Sequence, residues 1–293
     1  RSFYDSDGDG IGDLSGLTQK LDYLNDGDPT TDDDLEVDLL WLMPIQASPS
    51  YHGYDVTDYG QVEPDYGDAD ALQVLIEAAR ARGIRIIVDL VLNHTSSEHP
   101  WFVSAVGDRG SQYRDFYVWR DSPATWTQPW GSGGTWHETS TGWFYGLFWS
   151  GMPDLNFENE TVKALMTQVA RDWLSKGLAG FRLDAVRYLV ETGPDSGQKD
   201  TPQTHAYWRE FREALDTTHP GALLLAEAWA DSATTATYFG TESQPEMTTA
   251  FDFDLASAMV QSVRMKVASP TKGALRARLT QWGVRGHAGS FLT

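Results

Sequence analysis

Three acids stand out by position. Asp184 follows the apolar run 179–183, Glu227 follows the run 222–226, and Asp89 interrupts the run 84–92 shortly before Asn93 and His94. Short apolar runs of this kind read as buried strands. In barrels built from strand–helix units, functional groups sit at the C-terminal ends of the strands, so three such ends would bring the acids to one face. Two carboxylates flanking a glycosidic bond are the minimum for glycoside hydrolysis: one attacks and the other holds a proton for the leaving group. Their environments must therefore differ. Arg182 lies two residues before Asp184, on the same face of a strand, and a cation there favours the ionised form a nucleophile needs. Glu227 lies between Ala226 and Ala228 with Trp229 beyond, and an apolar, aromatic shell favours the protonated form of a general acid. Any one of these acids alone could be a structural charge at a strand end. The three together, with Asn93 and His94, argue against that.

A second grouping lies at residues 5–13. Asp5, Asp7, Asp9, the Ile11 carbonyl and Asp13 offer oxygens at loop positions one, three, five, seven and nine, with Gly10 at six. This is Ca2+-loop spacing, so Ca2+ is the expected cofactor. Position twelve is Gly16, where an EF-hand needs Glu, and no helix precedes the loop; it is EF-hand-like only. The segment 94–153 adds Trp119, Trp126, Trp130, Trp136, Trp143 and Trp149. These suit the core of a small, helix-poor domain, or flat platforms for the apolar faces of sugars; the core reading carries more weight, because a small domain needs aromatic bulk.

The elements that must position these groups follow from periodicity. Helical spacing is predicted over 12–24, 70–82, 159–174, 203–216 and 233–239, then from Leu255 and from Ala274; strands are predicted over 37–44, 84–92, 179–184, 222–227 and 248–253. The alternation argues for an α/β fold with a parallel sheet. Between 94 and 153 no helical period is found, and an irregular, β-containing insertion is expected.

The 293 residues include 42 acidic and 22 basic side chains, for a net charge of −20, and no cysteine. Disulfide scaffolds and Cys-ligated metal sites are thereby excluded. The charge would repel nucleic acid, and no run of about 18 apolar residues suggests a membrane helix. Of the basic residues only 6 are Lys, and Asp outnumbers Glu 29 to 13. This fits either adaptation to salt, where screening relieves self-repulsion, or ordinary exported-enzyme acidity. A secreted or extracellular monomer is expected.

Taken in order, the motifs resemble those of the α-amylase family, glycoside hydrolase family 13. Asp89-Leu-Val-Leu-Asn93-His94 is similar to its first region, Gly180-Phe-Arg182-Leu-Asp184-Ala-Val-Arg187-Tyr188 to its second and Ala226-Glu227-Ala-Trp229 to its third. His52-Gly-Tyr54-Asp55-Val-Thr-Asp58-Tyr59 and Met152-Pro-Asp154-Leu-Asn156 resemble two further family segments. The resemblance implies a (β/α)8 TIM barrel, with catalytic domain A at 1–94 and 154–293 and a domain B insertion at 95–153 after the third strand. It implies Asp184 as nucleophile, Glu227 as acid/base, and substrate contacts from Tyr54, His94, Arg182 and Asp89, with Tyr54 stacking under the sugar and Asp89 holding Arg182 and Tyr54. The implied substrate is an α-1,4-glucan or maltooligosaccharide, cleaved with retention. Alternatives are an α-glucosidase, a transglycosylase such as a 4-α-glucanotransferase or trehalose synthase, or a non-enzymatic glucan-binding protein. A second family Ca2+ site would use Asn93 and Asp154, but Tyr188 stands where many relatives have His. The family's third acid follows a motif that the chain reaches only as far as Ser290-Phe291-Leu292-Thr293. A full barrel takes ~250 residues before insertions, so a fragment cut at both ends, inactive alone and lacking the eighth strand and the C-terminal β-domain, is expected.

Overall fold

The computed structural model describes residues 1–282; the expected end of a strand at 290–293 lies outside the described residues. The chain forms two compact units, Arg1–Phe181 and Arg182–Thr293. The division falls inside the strand Gly180–Leu183, so the segment 95–153 belongs wholly to the first unit.

In the first unit the strands Leu39–Leu42 and Arg85–Leu90 pair in parallel, Leu39 opposite Arg85, and the Ala179 N–H donates to the Ile86 carbonyl at 2.8 Å. Helix Ala69–Ala81 joins the first two strands. Asp68 caps it through the Ala71 N–H, and Leu72, Leu75, Ile76 and Ala79 form its buried stripe, the i, i+3, i+4, i+7 pattern of a helix packed on a sheet. Helix Glu160–Ser175, capped by Asn159, buries Val162, Met166, Ala170, Trp173 and Leu174. The Trp173 indole donates to the Tyr59 carbonyl at 2.7 Å, so the largest side chain of that stripe is buried with its polar atom satisfied.

In the second unit the strands Leu223–Ala226 and Thr249–Ala250 pair in parallel. Helix Pro202–Thr218 has Thr201 as N-cap and Pro at its first turn, where a missing N–H costs nothing. It buries Tyr207, Trp208, Phe211 and Leu215. Strands alternating with helices and pairing in parallel match the predicted α/β class.

Two sequence expectations are corrected. The helix predicted over 12–24 is two pieces, Leu14–Gln19 and Leu21–Leu24, interrupted at Lys20 where ψ is 9°. The segment 94–153 contains a helix, Pro100–Gly107. Its eight residues are too few to show a period; what starts it is His99, whose Nδ1 accepts the Trp101 N–H, with Pro100 at the first turn. The rest of the segment holds a three-stranded antiparallel sheet in which strand Gly142–Tyr145 lies between Trp119–Arg120 and Trp136–Thr139. Trp136 is buried beside Tyr145 and Trp126, whereas Trp130 and Trp149 are exposed. The buried Trp136 is an example of the core reading. Among the described residues no helix is long and apolar enough to cross a membrane.

Candidate active site

The candidate residues fall into two groups, one in each unit. In the second unit Asp184 directly follows the strand Gly180–Leu183, and Glu227 directly follows Leu223–Ala226. The Glu227 N–H donates to the Leu183 carbonyl at 3.1 Å, which sets the two acids side by side at the ends of their strands. Arg182 joins them: Nη1 donates to Asp184 Oδ1 at 2.6 Å and Nη2 lies 2.8 Å from Glu227 Oε1. The planar guanidinium can serve two carboxylates from two terminal nitrogens, which a lysine cannot do. Its carbon lies 5.9 Å from the Phe251 ring centroid.

Glu227 has two further donors. Ala185 adopts φ 52°, a left-handed conformation disfavoured for a residue with a Cβ. The Ala185 N–H reaches Glu227 Oε2 at 3.2 Å, and the Trp229 indole donates to Oε1 at 3.2 Å. The apolar shell expected around Glu227 is therefore only part of its environment, because polar donors reach its carboxylate from both sides. Its pKa is nevertheless pushed up to about 7, first by burial and then by the charge of Asp184, with Arg182 opposing. Glu227 therefore holds a proton to a higher pH than an ordinary carboxyl does.

Behind them lies a network that the sequence did not reveal. Arg187 donates from Nε to Asp200 Oδ1 at 2.8 Å and from Nη1 to the Trp229 carbonyl, while the Tyr238 hydroxyl donates to Asp200 Oδ1 at 2.8 Å. Arg187 stands in the second motif, but Asp200 reaches it from a loop with no periodic signal, turned by left-handed residues at 195 and 200.

In the first unit Asp89 is wholly buried in the strand Arg85–Leu90. Its Oδ2 accepts from the Tyr54 hydroxyl at 3.3 Å, as the resemblance implied, and from the Trp41 indole at 3.2 Å, which sequence reading missed. The signal for Trp41 was available: it sits in strand Leu39–Leu42, paired with the strand of Asp89. His94 is buried, with Nε2 at 3.0 Å from the Tyr54 carbonyl and Nδ1 at 3.0 Å from Asn93 Oδ1. Burial lowers its pKa to about 4, so the ring is neutral at ordinary pH. The structure thus places His94 against the backbone of Tyr54. Asn93 and Asp154 engage His94 and the Leu147 N–H respectively.

The acidic loop brings carboxylate oxygens of Asp5, Asp7 and Asp13 within 4.8 Å of one another. Asp9 stands outside that trio, its Oδ1 taking the Ile11 N–H at 2.7 Å. The N–H groups of Gly8 and Gly10 hold the Asp5 carboxyl below its ordinary range. Those of Ser6 and Gly16 do the same for Asp13, against the cost of burial. Ionised, hard oxygens at this spacing suit Ca2+ or Mg2+, and a carboxylate has about four acceptor positions, so these hydrogen bonds leave room for a cation. The structure also explains Gly16 in place of an EF-hand glutamate: a Cβ there would lie 2.1 Å from the Tyr4 carbonyl oxygen.

The model of the alpha amylase catalytic domain matches residues 1–291. The chain belongs to the α-amylase family. Alpha-amylase 3 of Dictyoglomus thermophilum is 41% identical over 90% of this chain and 48% of its own length. The trehalose synthase/amylase of Mycolicibacterium smegmatis is 39% identical over 97% of the chain and 49% of its own length. The crystal structure of the alpha-amylase from H. orenii superposes with a TM-score of 0.88 at 42% identity, covering 100% of this chain and 58% of that one. The chain spans about half the length of the curated relatives it matches. Membership brings the family's (β/α)8 barrel fold, and the parallel strands and helices within each unit agree with it.

Proposed function

We propose that the chain is the catalytic part of a retaining enzyme of the α-amylase family that cleaves α-1,4-glucosidic bonds of starch-like glucans or maltooligosaccharides. The observation that carries this reading is the Arg182 bridge between Asp184 and Glu227. Two carboxyls close enough to share one guanidinium suit the short separation of a retaining pair; an inverting pair stands further apart to admit water. Asp184 attacks the anomeric carbon while Glu227 protonates the leaving oxygen. Deprotonated by that step, Glu227 then takes a proton from water, which releases the sugar from Asp184 with net retention. Arg182 orients both carboxyls. In the first unit Tyr54, held by Asp89 and His94, offers a ring for stacking on a sugar.

The pH profile tests the acid. A general acid works only protonated, so kcat/KM should fall about tenfold per pH unit above the pKa of Glu227, near 7. A profile flat to about pH 9 in the complete enzyme would remove Glu227 from this role.

Ca2+ held by Asp5, Asp7 and Asp13 is part of the same reading, and its contribution would be to stability. A cation at about 100 times its Kd stabilises by about 2.7 kcal/mol, so a chelator should lower the melting temperature by about 5–10 °C, reversibly on adding CaCl2. An unchanged melting temperature would leave the loop without a cation.

A second reading is favoured by the name of the mycobacterial relative: transfer of the glycosyl group to a sugar in place of water. Maltoheptaose with the complete enzyme separates the cases. Mid-length products appearing early mean endo-hydrolysis, glucose alone means exo-action, and longer chains or trehalose mean transfer.

A further inference from the structure

Trp229 lies two residues past Glu227 and is 64% exposed, yet its indole donates to Glu227 Oε1 at 3.2 Å. Burial does not fix this ring. It stacks on Phe253, with centroids 4.3 Å apart and 28° between planes, and its backbone is held separately. The Ala230 N–H donates to the Ala228 carbonyl at 2.8 Å, a tight turn centred on Trp229. The Trp229 carbonyl accepts from Arg187 Nη1.

Arg187 is in turn clamped by Asp200. Its Nε and Nη2 donate to the two carboxylate oxygens, and the Asp200 N–H donates back to the Arg187 carbonyl at 2.8 Å. A bidentate guanidinium–carboxylate pair is held in one plane, so Nη1 is aimed by the other two nitrogens. Asp200 makes both links from a left-handed backbone, φ 53°, which Asp tolerates better than most residues. The Tyr238 hydroxyl holds the same carboxylate. Stability alone explains this pair poorly, because Arg187 is buried and apolar residues of similar volume stabilise as well as a buried ion pair does. What the pair supplies is direction.

We propose that Arg187, aimed by Asp200, is a positioning residue for the acid/base: it fixes the turn after Glu227 so that the Trp229 indole keeps the carboxyl oriented to protonate the leaving oxygen. This rests on the assignment of Glu227 as the acid. Arg187 acts only through Trp229, and a misplacement of about 1 Å at a reacting group costs on the order of 10^2-fold.

The test uses two leaving groups. Phenyl α-maltotrioside and its 2-chloro-4-nitrophenyl counterpart carry the same sugars and one aryl ring each. Phenolate leaves badly and needs the acid, whereas the nitrophenolate leaves well without it. General loss of structure, or of a sugar contact, lowers kcat/KM on both alike. In the complete enzyme Arg187→Met should lower it about 30-fold on the phenyl substrate and less than about threefold on the other. Trp229→Phe, which keeps a ring for Phe253 but removes the N–H, should show the same selectivity. Arg187→Lys, with a donor left for the Trp229 carbonyl, should recover part of the loss. Equal losses on the two substrates in Arg187→Met overturn the proposal; should that variant not fold, equal losses in Asp200→Asn do so. Equal losses in Glu227→Gln would instead remove the acid itself, and the proposal with it. If the unaltered enzyme cleaves neither maltotrioside, the starch reading fails by itself, and the same aryl pair on a single glucosyl unit judges Arg187.

Discussion

Replacing Asp184 with Asn in the complete enzyme should lower kcat on maltoheptaose by on the order of 10^4-fold or more, with glucan binding retained. The amide has the shape of the carboxylate but cannot form the covalent intermediate. It also alters the acid: the charge of Asp184 is the second cause raising Glu227, after burial, so Glu227 should move down toward an ordinary carboxyl and protonate leaving groups less well. The fold should survive, because Arg182 keeps Glu227 as a partner. Turnover with maltoheptaose, and its affinity by calorimetry, check both halves of this expectation. Activity within about tenfold of the unaltered enzyme would show that Asp184 is not the nucleophile.

Arg182→Met should be the next largest effect, about 10^2- to 10^3-fold in kcat/KM, the scale for removing a preorganised charge from a reacting centre. Methionine fills most of the apolar volume but leaves Asp184 and Glu227 facing each other with no cation between them. Since Arg182 opposes the rise in Glu227, its removal should shift the basic limb of the pH profile upward from about 7, the reverse of the Asp184→Asn effect on the same group. Breaking a buried ion pair costs about 3–5 kcal/mol, so the melting temperature should fall as well. Arg182→Lys should recover part of the stability but little of the rate, because one ammonium cannot hold both carboxyls in plane. A pH limb unmoved by Arg182→Met would mean that the guanidinium does not act on Glu227.

Much of the scaffold was legible in the chain, for local reasons. The apolar stripe of Ala69–Ala81 and the runs that become Arg85–Leu90 and Gly180–Leu183 are written in residues a few positions apart, where helix and strand geometry repeats. The helix Pro100–Gly107 escaped because two turns carry no period, and its start depends on the His99 ring, a side-chain choice. The candidate acids were legible because they adjoin apolar runs.

Their arrangement was not. The sequence by itself determined which residues end the strands and which carry charge, and it offered Arg182 as a partner for Asp184 because i and i+2 share a face. Only the tertiary structure decided that the same guanidinium also serves Glu227, that left-handed Ala185 turns its N–H on the acid 42 residues away, and that Trp41 shares Asp89 with Tyr54 across 48 residues. It likewise gathered Asp5, Asp7 and Asp13 while leaving Asp9 aside. Periodicity is a property of the local backbone, whereas hydrogen bonds between distant segments depend on how packed elements place their ends; no spacing along the chain encodes that distance.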